Sequence, residues 1–205
     1  MVRKINEGAE ADIYKTEIFG IRSVIKYRKP KPYREEKLDT WIREKRTKTE
    51  AKILYNALKA DVSVPLVMLV GKYSIYEKFI QGVQLSVLLK EKRWGSSKKM
   101  QESMSKAGKY LAMLHNSDIA HGDFTPANIL VGKSNVSIID FGLSEITNSK
   151  ENKALDLLLM KRSVSSDVFS YFKNSYLANA KEGQQILSRL SEIERRGRYQ
   201  VRTLS

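Results

Sequence analysis

One stretch governs what this chain can fold into: His121-Gly-Asp-Phe-Thr-Pro-Ala-Asn128-Ile-Leu, followed closely by Ile138-Ile-Asp140-Phe-Gly142. Asp123 and Asn128 stand five apart on a segment without a regular hydrophobic period, and Asp140 ends an apolar run at a Phe-Gly corner. Three oxygen-bearing side chains are thereby brought to one rim. Phosphoryl transfer needs such a set: one carboxylate orients a nucleophile, while an amide oxygen and a second carboxylate hold Mg2+ against nucleotide phosphates. Taken singly, Asp and Asn are ordinary loop residues. It is the joint order H-x-D-x-x-x-x-N, then I-D-F-G, that argues against an ordinary loop.

Composition narrows the chemistry further. The chain has no cysteine and two histidines, which removes disulfides, thiolate nucleophiles and three-histidine metal sites, so any metal is a hard ion held by oxygen. Its longest apolar stretch, Val64 to Val70, is far short of a membrane span, and the polar N-terminus predicts a cytoplasmic chain without a membrane association. The net charge of +14 (37 basic minus 23 acidic residues) favours an anionic partner. Between Arg22 and Lys52 twelve basic residues face five acidic ones, and the last eleven residues add Arg195, Arg196, Arg198 and Arg202 with no acid.

Periodicity divides the 205 residues. Short β-prone runs broken at Gly8 and Gly20 predict three antiparallel strands up to about Arg28, and a Lys-Pro-Lys-Pro breaker precedes a long helix from Glu35 to Ala60. Two further strands are predicted at Val64 to Val70 and Tyr73 to Phe79, with a hinge at Lys78 to Gly82. Met100, Met104, Ala107, Leu111 and Leu114 lay one apolar stripe on a helix from Ser97 to Asn116, and two short strands and helices near 149–162, 165–180 and 182–196 follow.

The catalytic-loop and D-F-G residues resemble those of the protein-kinase superfamily. By that resemblance Asp123 is the catalytic base, Asn128 and Asp140 are the metal ligands, and His121 is a structural member of the loop. A kinase also needs a lysine on its third strand and a helical glutamate to hold it. Lys26 lies in the apolar run Ser-Val-Ile-Lys-Tyr, and Glu50 falls on the apolar face of its helix, where a carboxylate is costly without a partner. Lys26 is the natural one. The phosphate loop is reduced to Gly8-Ala9-Glu10-Ala11, eighteen residues before Lys26, and adenine is expected to be read by main-chain groups of Glu77 and Phe79. Only 63 residues follow Gly142, with no proline after Pro126, so an activation segment and peptide-docking platform are not expected.

Among reduced kinases the chain resembles the small atypical kinase of the KEOPS complex, the PRPK family. The matches are Gly-Ala-Glu-Ala at 8–11, Ile-Lys-Tyr-Arg-Lys-Pro at 25–30, Arg-Thr-Lys-Thr-Glu-Ala at 46–51, His-Gly-Asp-Phe-Thr at 121–125, Ile-Asp-Phe-Gly-Leu-Ser at 139–144, Lys-Ala-Leu-Asp-Leu at 153–157 and Arg-Arg-Gly-Arg at 195–198. The resemblance implies an α+β, bilobal kinase-like fold. Residues 1–80 would form a lobe with a five-stranded sheet, 81–194 a reduced helical lobe, and 195–205 a basic tail. It further implies ATP and Mg2+ as cofactors, and a TsaD-like threonylcarbamoyltransferase and other KEOPS subunits as partners. The implied activity is ATP hydrolysis or serine/threonine phosphorylation, autophosphorylation included, in support of threonylcarbamoyladenosine formation on tRNA, whose backbone the arginine tail would meet. Water and serine both stand as acceptor.

Two other enzyme readings use His-Gly-Asp loops. A RIO-type kinase should show D-x-G-Q at the metal strand and an aminoglycoside-type phosphotransferase a following G-D-P; the sequence Asp140-Phe-Gly-Leu-Ser speaks against both. A pseudokinase serving as an RNA-binding scaffold is the non-enzymatic alternative, suggested by the degenerate glycine loop and opposed by Lys26, Glu50, Asp123, Asn128 and Asp140 standing together.

Overall fold

Alternating β-prone runs produce the first layer. β1 (Arg3–Glu7), β2 (Ala11–Ile18), β3 (Ile21–Arg28), β4 (Val67–Val70) and β5 (Ser74–Lys78) form an antiparallel sheet in the order β1-β2-β3-β5-β4. The structure is a computed structural model that describes all residues but 1, 9, 10, 92–95, 134 and 203–205, and only the backbone of 6 and 197–202. The tight β2–β3 turn is made by Phe19 (φ 50°) and Gly20 (φ 75°), both in the left-handed region that a two-residue hairpin of this hand demands. The fourth strand starts at Val67 rather than at Val64, because Pro65 has no N–H for a ladder and the Ser63 carbonyl is engaged elsewhere, accepting from Ile138 at 2.8 Å.

The helix α1 (Glu36–Lys59) begins where Glu35 caps the amides of Lys37 (3.0 Å) and Leu38 (2.8 Å). Buried Asp39 ties its first turn to the Lys-Pro-Lys-Pro breaker, accepting from the Lys31 amide at 3.2 Å and from Arg43 at 2.6 Å. Ile53, Leu54 and Ala57 sink the other end of the helix into the core, beside Val62 and Val64. The axis of α1 therefore has one fixed position relative to the sheet.

The remainder is mainly helical. α2 (Leu85–Glu91) and α3 (Ser97–Asn116) precede the catalytic-loop segment, and α4 (Lys150–Ser163), α5 (Ser166–Asn179) and α6 (Gly183–Arg202) follow it. The expected bounds of α3 coincide with those observed, and its stripe of Met104, Ala107, Leu111 and Leu114 is fully buried against Phe172 and Tyr176 of α5. β8 (Ile129–Val131) and β9 (Val136–Ile138) pair as predicted. Four short elements had no readable period: β6 (Val83–Gln84), which joins β8; β7 (Ile119–Ala120) and β10 (Glu145–Ile146), which pair; and α2 itself. Two residues carry no alternation, so only tertiary pairing makes these strands. Among the described residues no helix is long and apolar enough to cross a membrane.

Helices α3 and α5 approach closely at Gly108 of α3, where an added Cβ would lie 2.2 Å from the Phe172 carbonyl oxygen on α5. Helix propensity alone would make Gly108→Ala stabilising by about 1 kcal/mol. Overpacking against backbone reverses the sign, and we expect a net loss of about 1–3 kcal/mol, read as a lower denaturant midpoint with unchanged slope.

Candidate functional site

The facing edges of the sheet and the helical part enclose a cleft of about 290 Å3. Ile5, Ile13 and Val24 form its roof, Leu130 and Ile139 its floor, and Lys26, Glu77, Asn128 and Asp140 bring polar groups into it. The central contact is an ion cluster. Lys26 Nζ lies 2.6 Å from Glu50 Oε1 and 2.6 Å from Asp140 Oδ1, although the three residues are separated in the chain by 24 and 114 positions. Arg28, two residues on along β3 and on the same face, holds the other oxygen of Glu50. Lys26, Arg28 and Glu50 are all buried. Burial pulls the pKa of Lys26 down, but the carboxylates of Glu50 and then Asp140 outweigh it and leave it raised. Burial works against the charge of Asp140 too, and Lys26 outweighs it, so that carboxyl is held below its ordinary range.

Asp140 adopts φ 65°, a conformation Asp tolerates better than most residues, and this corner turns its carboxylate back toward Lys26 while its Oδ1 also accepts from the Gly142 amide at 3.3 Å. Across the rim, Asn128 donates Nδ2–H to the Asp123 carbonyl (2.9 Å) and carboxylate (2.8 Å), so the two loop residues set each other's orientation. Oδ1 of Asn128 and Oδ2 of Asp140 keep no protein partner among the described residues.

The loop that carries Asp123 is braced from below. Asp156, fully buried on α4, accepts from the backbone amides of His121 (2.7 Å) and Gly122 (2.8 Å). Gly122 has φ 80°, and a Cβ there would lie 2.4 Å from the Leu143 carbonyl oxygen, which is why the loop reads His-Gly-Asp. His121 accepts the Asp123 amide on Nδ1 (3.3 Å) and donates from Nε2 to the Ile139 carbonyl (3.2 Å), tying the loop to the segment that leads into Asp140 with a single ring proton. His115 does likewise one layer deeper, with Nε2 on Asp156 (3.1 Å) and Nδ1 on the Tyr176 hydroxyl (2.8 Å). Burial lowers both histidine pKa values.

The structure thus brings together Lys26, Glu50, Asp123, Asn128 and Asp140. Gly8 and Ala11 lie at the β1–β2 turn, where the Gly8 amide donates to the Ala11 carbonyl at 3.0 Å; Ala9 and Glu10 lie outside the described residues. Phe79, the other expected hinge residue, lines the cleft; its amide donates to the Arg22 carbonyl of β3 at 2.9 Å, so that N–H is engaged in the sheet, and its ring lies 4.6 Å from the Lys15 ammonium. Glu77 pairs with Val24 in the same ladder and turns its side chain into the cleft. The Lys78 carbonyl and the Ile80 amide carry no hydrogen bond to another described residue. Arg195 and Arg196 are exposed on α6, Arg196 3.6 Å from Glu151; the side chains of Arg198 and Arg202 lie outside the described residues.

Sequence reasoning passed over Arg28, Asp156 and the Glu77 carboxyl. Asp156 left a signal, a lone carboxylate among Ala154, Leu157 and Leu158 on one face of α4. Arg28 stands inside the Ile-Lys-Tyr-Arg-Lys-Pro match, but a basic residue ending a strand reads as surface and gains no role of its own from the sequence.

The RIO domain family matches residues 6–185. The KEOPS complex subunit Bud32 of Pyrococcus abyssi is 32% identical, covering 98% of this chain and 98% of its own. The EKC/KEOPS complex subunit bud32 of Dictyostelium discoideum is 31% identical over 95% of this chain and 82% of its own. A probable bifunctional tRNA threonylcarbamoyladenosine biosynthesis protein of Methanosphaera stadtmanae is 36% identical over 94% of this chain, which spans only 36% of that longer relative. In fold, the chain superposes on the Rio2 kinase of Chaetomium thermophilum, solved as an ADP/Mg2+-phosphoaspartate complex, with a TM-score of 0.67 at 14% identity, covering 97% of this chain and 71% of that one. The missing D-x-G-Q therefore does not set the chain apart from RIO-type proteins; it marks a difference within them.

Two buried histidines and the half-buried Glu77 give folding a predictable pH response. Each histidine has an ordinary pKa of 6.5 that is lower when folded, so below about pH 6.5 the unfolded chain binds more protons and stability falls as pH falls. Glu77 acts oppositely: burial, then the Glu50 carboxylate, raise it from 4.5 to about 7, so the folded chain binds the extra proton in that window and stability rises as pH falls. Glu77→Gln removes the compensating proton. Its stability should therefore drop more steeply than the wild type's between pH 6.5 and 5, by up to about 1.4 kcal/mol per pH unit, measured from denaturant midpoints.

Proposed function

The chain belongs to the RIO-domain family of atypical kinases, within it to the Bud32 group, and on that premise we propose that it binds Mg-ATP in this cleft and transfers its terminal phosphoryl group. It does so as an ATPase and an atypical serine/threonine kinase that also phosphorylates itself, within a KEOPS-type complex that supports threonylcarbamoyladenosine formation on tRNA. The observation that carries this reading is Lys26, drawn by Glu50 and Asp140 at 2.6 Å each to the inner end of a cleft with flat apolar walls.

Each residue then has a part. Lys26, positioned by Glu50 and Arg28, neutralises phosphate oxygens; Asp123, its carboxylate oriented by Asn128, takes the proton of the attacking hydroxyl or water. Oδ1 of Asn128 and Oδ2 of Asp140 would hold Mg2+, an oxygen set that suits an ion which takes few protein ligands and fills its shell with phosphate and water. When bound, that ion neutralises charge on the phosphates. Gly8 and Ala11, with Ala9 and Glu10 between them, would cover the phosphates, and the hinge strand would read adenine. The division into a sheet lobe to about residue 80, a helical lobe to 194 and a basic tail belongs to the same reading, as does a cytoplasmic setting.

The partners follow from charge and family. The segment from Arg22 to Lys52 and the arginines at 195, 196, 198 and 202 suit the phosphate backbone of tRNA, and a TsaD-like threonylcarbamoyltransferase with other KEOPS subunits is the proposed assembly. The Dictyostelium and Pyrococcus relatives, named as KEOPS subunits, support this.

Asp140→Ala should lower Mg-ATP turnover by about a hundredfold or more. The fold should survive, since the side chain is 52% exposed and the left-handed backbone adds only about 1 kcal/mol of strain for Ala. Hydrolysis scored beside radiolabel incorporation, with and without the TsaD-like subunit and tRNA, checks it; undiminished ATP consumption would remove the site. Deleting residues 195–205 should leave nucleotide binding intact and weaken tRNA engagement in the assembly, with a shallower dependence of log affinity on log salt. Equal tRNA affinity with and without the tail, at a stated salt concentration, would remove that role.

A further inference from the structure

Among the described residues that line the cleft, Glu77 is the one carboxyl with no part in the proposed phosphoryl transfer. Its neighbours on the sheet fix where it points: Val24 pairs with Glu77 and Lys26 with Ile75, so all four side chains share one face and Glu77 is the diagonal neighbour of Lys26. It lines the cleft, yet it makes no hydrogen bond or ion pair with any described residue, because the Lys26 ammonium is already taken by Glu50 and Asp140. The residues that follow it supply the carbonyl of Lys78 and the amide of Ile80, neither engaged within the sheet. A carboxyl, a carbonyl and an N–H therefore stand in order along the back of a cleft whose walls, Val24, Ile13, Leu130 and Ile139, fit a flat ring.

We infer that Glu77 selects the base, its carboxylate accepting from the exocyclic amino group of adenine and disfavouring the oxygen that guanine carries at the same position. This rests on the nucleotide reading of the cleft and adds the determinant of base identity. Adenine offers an acceptor beside an amino group with two hydrogens. With the acceptor on the Ile80 amide, one amino hydrogen meets the Lys78 carbonyl and the other points inward, to the wall where Glu77 stands. Main-chain groups alone discriminate weakly, since a guanine can slide along the strand to find matching partners. Its O6 and N7, both acceptors, then face the carboxylate, and a polar group left against an acceptor is what makes such a site reject the wrong ligand. Glu50 on α1, Lys26 on β3 and Asp140 after β9 are the charged groups around Glu77. They face the phosphate end in the same way for either nucleotide and cancel in a ratio of affinities.

The test is calorimetric titration of the full chain with Mg-ATP and with Mg-GTP at about pH 8, for the wild type, Glu77→Gln and Glu77→Met. The wild type should bind ATP at least about tenfold more tightly than GTP. Gln, whose amide can donate to O6, and Met, which offers nothing, should both bring the ratio to within about threefold; if one variant fails to fold, the other carries the test. An ATP preference unchanged in the variants overturns the inference and leaves the nucleotide reading standing, as does a wild type that binds both nucleotides equally. Parallel weakening of both nucleotides at constant ratio would mean that Glu77 acts only through Lys26, and overturns it as well. A wild type that binds neither nucleotide overturns both readings.

Discussion

The carboxylate of Glu50, buried on α1 and gripped by two cations from β3, is the contact on which the remaining architecture depends. A charge so placed is costly in isolation, and removing one partner from a buried pair costs about 3–5 kcal/mol, because the survivor cannot be hydrated. The helix therefore has few positions open to it. Lys26 and Arg28 point the same way along β3 only because they are two residues apart on a strand, and they meet Glu50 only if α1 crosses the sheet at one height. Arg28 changes the character of the pair. It satisfies the second oxygen of Glu50, so the glutamate stays compensated even when Lys26 turns toward another anion.

A second buried carboxylate does for the loop what Glu50 does for the lysine. Asp156 has no Lys or Arg partner among the described residues; it is satisfied by two backbone amides and the His115 ring. Amides aimed at a carboxylate fix backbone rather than side chain, so the peptide that leads into Asp123 is held from beneath while the rim stays open. His121 then couples that loop to the strand leading to Asp140 through the Ile139 carbonyl. Asp123 and Asp140, 17 residues apart in sequence, are thus separated by one imidazole rather than by a flexible connection. The two histidines of the chain both serve as neutral struts, which fits a reaction that asks nothing of imidazole.

Much of this was legible beforehand for reasons that can be named. Lys26 within an apolar strand and Glu50 on the apolar face of a helix each announce a buried charge in need of a partner, and two such needs of opposite sign answer each other. The long periods of α1 and α3 survive any tertiary context, and their ends appeared within a residue of where the pattern placed them. The two-residue strands did not, for alternation needs more than one repeat. Nor did the hinge: which amide along β5 faces the cleft depends on which carbonyl of β3 it meets, and that register is a property of two strands together.

What the amino-acid order determined alone was therefore chemical: a hard-ion oxygen set, a lysine and a glutamate that must find each other, and a basic surface, since these depend on residue type and local period. What only the folded chain decided was the set of contacts that depend on pairing across distance. These are Arg28 as a second cation on Glu50, Asp156 beneath the loop, and the Glu77 carboxyl beside a Lys78 carbonyl and an Ile80 amide that no other described residue engages. A strand's neighbours in sequence say which side chains share a face. They cannot say what stands opposite, and in this cleft what stands opposite sets both the charge balance and the shape offered to a base.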